Sequence, residues 1–145
     1  MIDCSSMFLP TLCRELELAP TPLAQCIVDV QNGKPVAGVV YENYNTVSVT
    51  AHIWVKEGAV ASKEWWAAIF DYCFNQLGIH KLIGQVYSTN EKARRLDEKM
   101  GFVLEATIKD YCLEGDLLMY TMTKEQCRIL NSPAWARVLK LVGEA

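Results

Sequence analysis

The sequence lacks the features that mark several classes of protein. It has no run of five or six basic residues, and its net charge is −3 over 145 residues, which argues against nucleic acid or an anionic membrane as the main partner. No apolar run reaches the ~18 residues of a membrane span, and the N-terminus has neither the basic region nor the apolar core of a signal peptide. We therefore expect a cytoplasmic protein.

The cysteines lack the spacing of a metal or redox site. They show no C-x-x-C motif and no Cys/His cluster with the spacing of zinc ligands. Several lie within apolar strand or helix patterns, where a free cysteine behaves as a small hydrophobic residue. We therefore expect reduced, buried thiols and no metal site, against the alternative of a redox or metal protein. The six are Cys4, Cys13, Cys26, Cys73, Cys112 and Cys127.

What the sequence does contain is typical of a soluble globular domain. Hydrophobic residues make up 51% of the chain and charged residues 21%, which is ordinary composition for this class. The length predicts one domain over residues 1–145, with room for a hydrophobic core.

Residues 24–55 have the pattern of three antiparallel strands, at 24–31, 36–44 and 47–55. Asn32-Gly33-Lys34-Pro35 is a strong hairpin turn signal between the first two. The third strand alternates, with Val47, Val49, Ala51, Ile53 and Val55 on one face. A short helix at 11–17 precedes them and is stopped by two prolines.

The second half of the chain alternates helices and strands. A helix from Ser62 to about Leu77 carries a broad apolar stripe and is followed by a strand at 81–87, too apolar to have a water-facing side. The pieces 47–55, 62–77 and 81–87 predict a parallel strand–helix–strand unit with a right-handed crossover. Further elements are predicted at 91–100 (helix), 103–107 and 117–122 (strands), 124–130 (helical turn) and 133–142 (helix).

The most informative stretch is the helix at 91–100. Asn90 is a good N-cap, Gly101 can adopt the left-handed conformation that ends a helix, and Phe102 enters the next strand. Ala93, Leu96 and Met100 share one face. The order Asn-x-x-Ala-x-x-Leu-x-x-x-x-Gly-Phe resembles the end of the GNAT superfamily, the acyl-CoA-dependent N-acetyltransferases.

The order and lengths of the elements also resemble the GNAT fold, over a core of roughly residues 24–123. The resemblance implies an α/β (α+β) fold with a mixed central sheet of about six strands. The strands are antiparallel except for the central parallel pair, helices lie on both faces, and residues 124–145 form a C-terminal helical extension. About 23 residues precede the core, fewer than the family usually has. We expect an open acceptor site or one completed by a partner subunit, in a homodimer formed through the 133–142 helix. This shortened pattern resembles small GNAT-like proteins of phages and prophages.

In the GNAT family, acyl-CoA enters between the two parallel strands and its pantetheine pairs with the backbone of the first. Its pyrophosphate binds the loop before the central helix, where a helix N-terminus offers unpaired donors. The family's loop reads Gln/Arg-x-x-Gly-x-Gly/Ala; here Lys56-x-x-Ala59-x-Ala61 stands there, with Gly58 one residue early. Arg94 or Arg95 is expected to reach a CoA phosphate, because a guanidinium fork suits phosphate. The implied cofactor-binding residues are Ile53, Trp54, Val55, Lys56, Gly58, Ala59, Val60, Ala61, Ser62, Asn90, Ala93, Arg94 and Arg95.

Acetyl transfer needs a base for the amine and an acid for the leaving thiolate. His52 is the first candidate base, because an unperturbed histidine titrates near neutral pH, and Glu57 is the second. Tyr87 and Ser88 are candidates to polarise the amine or the thiolate. Many family members place a tyrosine acid seven residues after the asparagine; here Asp97 stands there, and an ionised aspartate is a poor proton donor at neutral pH.

The resemblance therefore implies an N-acyltransferase. It would move acetyl from acetyl-CoA, its cosubstrate, to a primary amine of a protein or small molecule, by direct attack in a ternary complex and without a metal. The alternative is a GNAT-fold CoA-binding or protein-interaction module that has lost catalysis.

Overall fold

A mixed seven-stranded sheet organises the chain. A computed structural model describes residues 1–19 and 21–143. The strands are β1 (Ile2–Asp3), β2 (Gln25–Gln31), β3 (Lys34–Glu42), β4 (Ser48–Val55), β5 (Lys81–Tyr87), β6 (Val103–Cys112) and β7 (Gly115–Met122). The helices are α1 (Leu9–Glu15), α2 (Lys63–Asp71), which runs into a π-helical turn (Tyr72–Gln76), α3 (Glu91–Met100), α4 (Arg128–Asn131) and α5 (Ala136–Gly143). Short 3-10 turns lie at Ser6–Phe8, Lys124–Gln126 and Pro133–Trp135.

The strand order is β1-β2-β3-β4-β5-β7-β6, and every pairing is antiparallel except that of β4 with β5. The predicted fold class is confirmed. The strand beyond the predicted six is β1, only two residues long, which pairs with Asp29 and Val28 of β2. No local pattern marks so short a strand, because its pairing partner lies far along the chain.

One face of the sheet is covered by α2. Trp65, Ile69 and Phe70 are buried there against the inward residues of β3 and β4, and the Trp65 indole N–H donates to the Ile27 carbonyl oxygen at 2.9 Å. Trp135 and Leu139, at the C-terminal end, pack against the same cluster. That part of the predicted dimer helix is therefore used within the chain.

The other face is covered by α1. Leu12 is fully buried among Val28, Val40 and their neighbours, and it lies so close to Gly38 that a Cβ on that glycine would overlap it. Trp54 packs against this cluster whereas Ile53 packs against the α2 cluster, as the alternation of β4 predicts.

The parallel pair β4–β5 is joined over only three residues. Ser48, Val49 and Thr50 pair with Lys81, Leu82 and Ile83, after which the two strands part. Strand β4 stays paired with β3 as far as Val55, and β5 stays paired with β7 as far as Tyr87. A gap therefore opens in the middle of the sheet, between 51–55 and 84–87.

The predicted bounds of β5 and α3 are confirmed. The Asn90 side chain accepts the Ala93 N–H at 3.1 Å, and Gly101 ends the helix with φ of 114°. The prediction for the last hairpin was too short: β6 and β7 continue through residues predicted as loop. Because β6 is an exposed edge strand, its sequence lacks the apolar alternation by which a strand is recognised.

All six cysteines are free thiols; Cys4 is exposed, Cys112 is half-buried and the other four are buried. Within residues 1–19 and 21–143, no helix combines the length and apolar character needed to cross a bilayer.

Candidate active site

The gap between β4 and β5 forms a cavity of about 210 Å3, here called the splayed cleft. Its walls come from β4, β5 and α3, with contributions from the segment after α1 and from β6. The polar and charged residues that line it are Glu17, His52, Gln85, Tyr87, Asn90, Asp97 and Tyr111. The cleft also includes Ile53 and Ala93, so it gathers five of the predicted site residues.

His52 projects from β4 and is paired with Glu42. Its Nε2 lies 3.0 Å from the Glu42 carboxylate, and both side chains are largely buried. Glu42 pairs with Thr50 across β3 and β4, so it lies diagonally opposite His52 on one face of the sheet. Burial lowers the pKa of His52, and Glu42 opposes that shift. The imidazole is therefore mainly neutral at pH 7, which suits a base.

Asp97 lies on the opposite wall of the splayed cleft. It is buried, and a Cβ placed on Gly84 would come within 3.3 Å of its Oδ2. Burial, followed by the charge of Glu98, raises the pKa of Asp97 to about 7. Its carboxyl is therefore protonated in a large fraction of molecules at neutral pH, contrary to the expectation of an ionised, poor donor.

Two faces of helix α3 line two separate features of the surface, because successive side chains of a helix are rotated by ~100° about its axis. Ala93, Leu96 and Asp97 line the splayed cleft. Lys92, Arg95 and Lys99 line a second groove of about 400 Å3 with Ala59, Val60 and Ala61 of the loop before α2. We call this second feature the basic groove; Val55, Trp66 and Leu96 complete its lining, and none of its lining residues is acidic.

The loop 56–62 is held from behind by β2. The Asp29 carboxylate accepts the Ser62 N–H at 2.7 Å, and the Gln31 amide donates to the Val60 carbonyl oxygen at 3.0 Å. Within the described chain, the N–H groups of Gly58, Val60 and Ala61 donate to no protein acceptor. Because unpaired N–H groups before a helix attract anions, this loop and the basic groove form one anion-attracting surface.

Arg94 points away from the basic groove. Its guanidinium donates to the Ser88 carbonyl oxygen at 3.3 Å, and interaction with Tyr120 raises the pKa of Arg94. Arg95 faces the groove, with an exposed contact of 3.4 Å to Glu91.

The remaining predicted residues lie around these two features. Tyr87 lines the splayed cleft with its ring centroid 6.3 Å from that of Tyr111. Ser88 lies outside the cleft lining, and its hydroxyl accepts the Asp116 N–H at 3.0 Å. Glu57 lines a surface pocket with Trp54 and Lys56. In residues 1–19 and 21–143, no group of three His, Cys, Asp or Glu side chains is arranged to hold a metal ion.

Several solved structures share the fold of this chain. The Campylobacter jejuni N-acetyltransferase PseH, in complex with acetyl coenzyme A, matches with a TM-score of 0.58 and 18% identity over 81% of this chain and 75% of its own. The fold is that of the GNAT N-acetyltransferases. The Vibrio cholerae spermidine N-acetyltransferase with CoA and spermine has a TM-score of 0.63 and 20% identity over 84% of this chain and 77% of its own. A dodecameric structure of that enzyme matches with a TM-score of 0.64 and 20% identity, over 89% of this chain and 79% of its own. No protein-family model and no curated protein matches by sequence.

Some site residues of this GNAT-fold chain were missed by sequence reasoning. Lys92 and Lys99 share a face with Arg95 at spacings of three and four, which helical periodicity could have revealed. Asp97 follows Ala93 by four residues, so the same rule could have placed its side chain beside Ala93 on the face that lines the splayed cleft. No sequence pattern indicates Glu42, because its contact with His52 depends on the register of β3 with β4.

Proposed function

We propose that this protein transfers an acetyl group from acetyl-CoA to a primary amine. The observation that carries the proposal is the parting of β4 and β5 beside the His52–Glu42 pair. In a GNAT fold, such a gap gives an extended ligand access to unpaired strand backbone next to titratable side chains. The neighbours PseH and the spermidine enzyme are named as N-acetyltransferases and were solved with acetyl-CoA or CoA.

Two parts of the chain divide the binding of acetyl-CoA. The pantetheine lies along the β4 backbone at 53–55, whose β5-facing groups pair with no strand among the described residues. The phosphates lie in the basic groove, where Lys92, Arg95 and Lys99 supply three positive charges. Arg95 fills the phosphate role better than Arg94, because the guanidinium of Arg94 already donates to the Ser88 carbonyl oxygen and interacts with Tyr120.

His52 serves as the base. Glu42 fixes the imidazole through Nε2, and a neutral imidazole accepts a proton from the amine, directly or through water, as the nitrogen attacks the thioester carbon. Ser88 and Glu57 lie outside the splayed cleft, so we assign them no step. The acceptor is a primary amine of a small molecule or protein, and self-association through the C-terminal helix stays a prediction.

One observation favours the rival function, a protein-interaction module without catalysis. The Asp29 carboxylate is fully buried and takes the Ser62 N–H. This contact occupies an N–H donor at the start of α2 that a phosphate would otherwise bind. A chain that had given up CoA could tolerate such a residue.

Calorimetric titration with acetyl-CoA tests the proposal. We expect saturable binding that weakens at high salt. The triple variant Lys92→Ala, Arg95→Ala, Lys99→Ala is expected to lose about threefold to 150-fold in affinity, because each exposed charge contributes about 0.2–1 kcal/mol. The single variant Lys109→Ala, on the exposed edge strand β6, is the control and should bind like the wild type.

Turnover is then measured with spermidine, spermine and a lysine peptide as probe amines. Released CoA is quantified by chromatography, because the exposed Cys4 would itself react with thiol reagents. Acetylated amine formed in step with CoA supports the enzyme. Saturable binding with no product from any amine would favour a CoA-binding module, and no binding at millimolar ligand would favour the protein-interaction module.

A further inference from the structure

The splayed cleft contains two titratable groups, one that burial keeps free of its proton and one that burial keeps protonated. His52 on β4 is kept neutral by burial, and Asp97 on α3 is kept protonated by burial. Two such groups in one site are the usual arrangement of a base with an acid. In the proposed function His52 is the base, and Asp97 has no assigned role.

Asp97 has the surroundings of a proton donor. Its side chain makes no hydrogen bond or salt bridge within the described chain, although the adjacent carboxylate of Glu98 accepts a hydrogen bond from the Tyr120 hydroxyl. A buried carboxyl without a partner disfavours ionisation. Its Oδ2 lies beside Gly84, the first residue of β5 after the last one paired with β4. Asp97 is therefore at the narrow end of the cleft, where the strands begin to part.

We propose that Asp97 is the general acid of the transfer and protonates the sulfur of the departing CoA. The inference rests on the function proposed above. A thioester that reached the narrow end of the splayed cleft would lie between the imidazole on one wall and the carboxyl on the other.

The step balances in atoms and protons. The neutral amine nitrogen attacks the thioester carbonyl carbon and the C–N bond forms. The intermediate then collapses, the C–S bond breaks and its electron pair leaves on sulfur. Asp97 gives its carboxyl proton to that sulfur, so CoA departs as the thiol, and the proton from nitrogen goes to His52. Exchange with solvent then returns a proton to Asp97 and removes one from His52.

The charged and titratable groups around Asp97 define the pH dependence. They are His52 from β4, Tyr87 from β5, Tyr111 from β6 and Glu17 from the segment after α1, with Glu98 on its own helix. Only the protonated carboxyl donates, so kcat measured with both substrates saturating should fall as the pH rises above about 7. It should also fall at low pH, where the imidazole becomes charged.

Asp97→Asn tests this directly. The amide keeps the shape of the carboxyl without its acidic proton, so kcat at neutral pH should fall by about 10²-fold and the decline at high pH should disappear. Glu98→Gln should move the decline to lower pH, because the Glu98 charge helps to keep Asp97 protonated. Glu91→Gln, an exposed carboxylate on the same helix, should leave the profile unchanged.

A carbon-13 NMR titration of the aspartate carboxyls gives a readout independent of turnover. One signal, absent from Asp97→Asn, should titrate near pH 7, and calorimetry should show that Asp97→Asn still binds acetyl-CoA. If Asp97→Asn transfers acetyl at the wild-type rate with the decline intact, the inference is wrong while the proposed function stands. If the wild type neither binds acetyl-CoA nor acetylates an amine, the proposed function fails and the inference fails with it.

Discussion

His52→Gln is expected to lower kcat for acetyl transfer by about 10³-fold, while the affinity for acetyl-CoA stays within about threefold of the wild type. A positioned base contributes roughly 10²–10⁴ to the rate, and glutamine keeps the polarity of the site without accepting a proton. The binding of acetyl-CoA depends on the β4 backbone and the basic groove, which this change leaves in place. Steady-state kinetics and calorimetry measure the two quantities.

The chain offers a matched control, since it has two histidines. His80 is exposed and precedes β5 at the end away from the splayed cleft, so His80→Gln should keep the wild-type kcat. A wild-type rate in His52→Gln would place the base elsewhere, and Glu57→Gln would then be the variant to measure.

The pH profile of kcat examines the partnership with Glu42. Because burial lowers the pKa of His52, the acid side of the profile should have its midpoint below that of an ordinary histidine. Glu42 opposes the shift, so Glu42→Gln should lower this pKa further and move the acid side of the profile to lower pH. A midpoint that stays unchanged would show that the imidazole seen in the profile is not paired with Glu42.

Gly101→Ala is expected to destabilise the fold by about 2–5 kcal/mol. Gly101 ends α3 with φ of 114°, a conformation that costs a residue with a Cβ about 1–2 kcal/mol. The added methyl would also overlap the backbone oxygen of Gln126, and overpacking costs about 1–3 kcal/mol more. Urea unfolding of the variant measures the loss, which is a large share of the stability of a typical domain.

Two other glycines separate these contributions. Gly78 also has positive φ, at 68°, but nothing lies within 4 Å of a Cβ there, so Gly78→Ala should lose only about 1–2 kcal/mol. Gly143 is the last described residue of α5, its φ is ordinary, and no described atom lies within 4 Å of a Cβ there, so Gly143→Ala should stay within about 1 kcal/mol of the wild type. Equal losses at Gly101 and Gly78 would mean that the segment around Gln126 shifts to accommodate the methyl.

The elements that sequence reasoning located well are those whose ends are set by a capping residue or a turn residue nearby in the sequence. Helix α3 lies between Asn90, which caps it, and Gly101, whose left-handed conformation ends it. The hairpin between β2 and β3 turns at Asn32 and Gly33, with φ of 53° and 75°, as its sequence predicts. The short β1 and the long β6 were missed because their pairing is decided by distant strands and by exposure at the sheet edge.

The site was only partly predictable for a similar reason. His52 and Asn90 could be placed because alternation and capping are local. The pairing of His52 with Glu42 depends on inter-strand register, and the protonation of Asp97 depends on how deeply it is buried. Neither the strand register nor the depth of burial can be read from a short stretch of sequence. Both determine the state of the groups on which the chemistry depends.

The three residue pairs that join β4 to β5 have a consequence for unfolding. Within the described chain they are the sole backbone ladder between two half-sheets, β1–β4 on one side and β5–β7 on the other. An extended ligand bonded along β4 and contacted by α3 would bridge the halves and act as a removable strand. Bound acetyl-CoA should then slow amide hydrogen exchange along β4 and make the halves unfold together, in addition to the mass-action gain of any ligand. In this fold the substrate would complete the sheet that holds it.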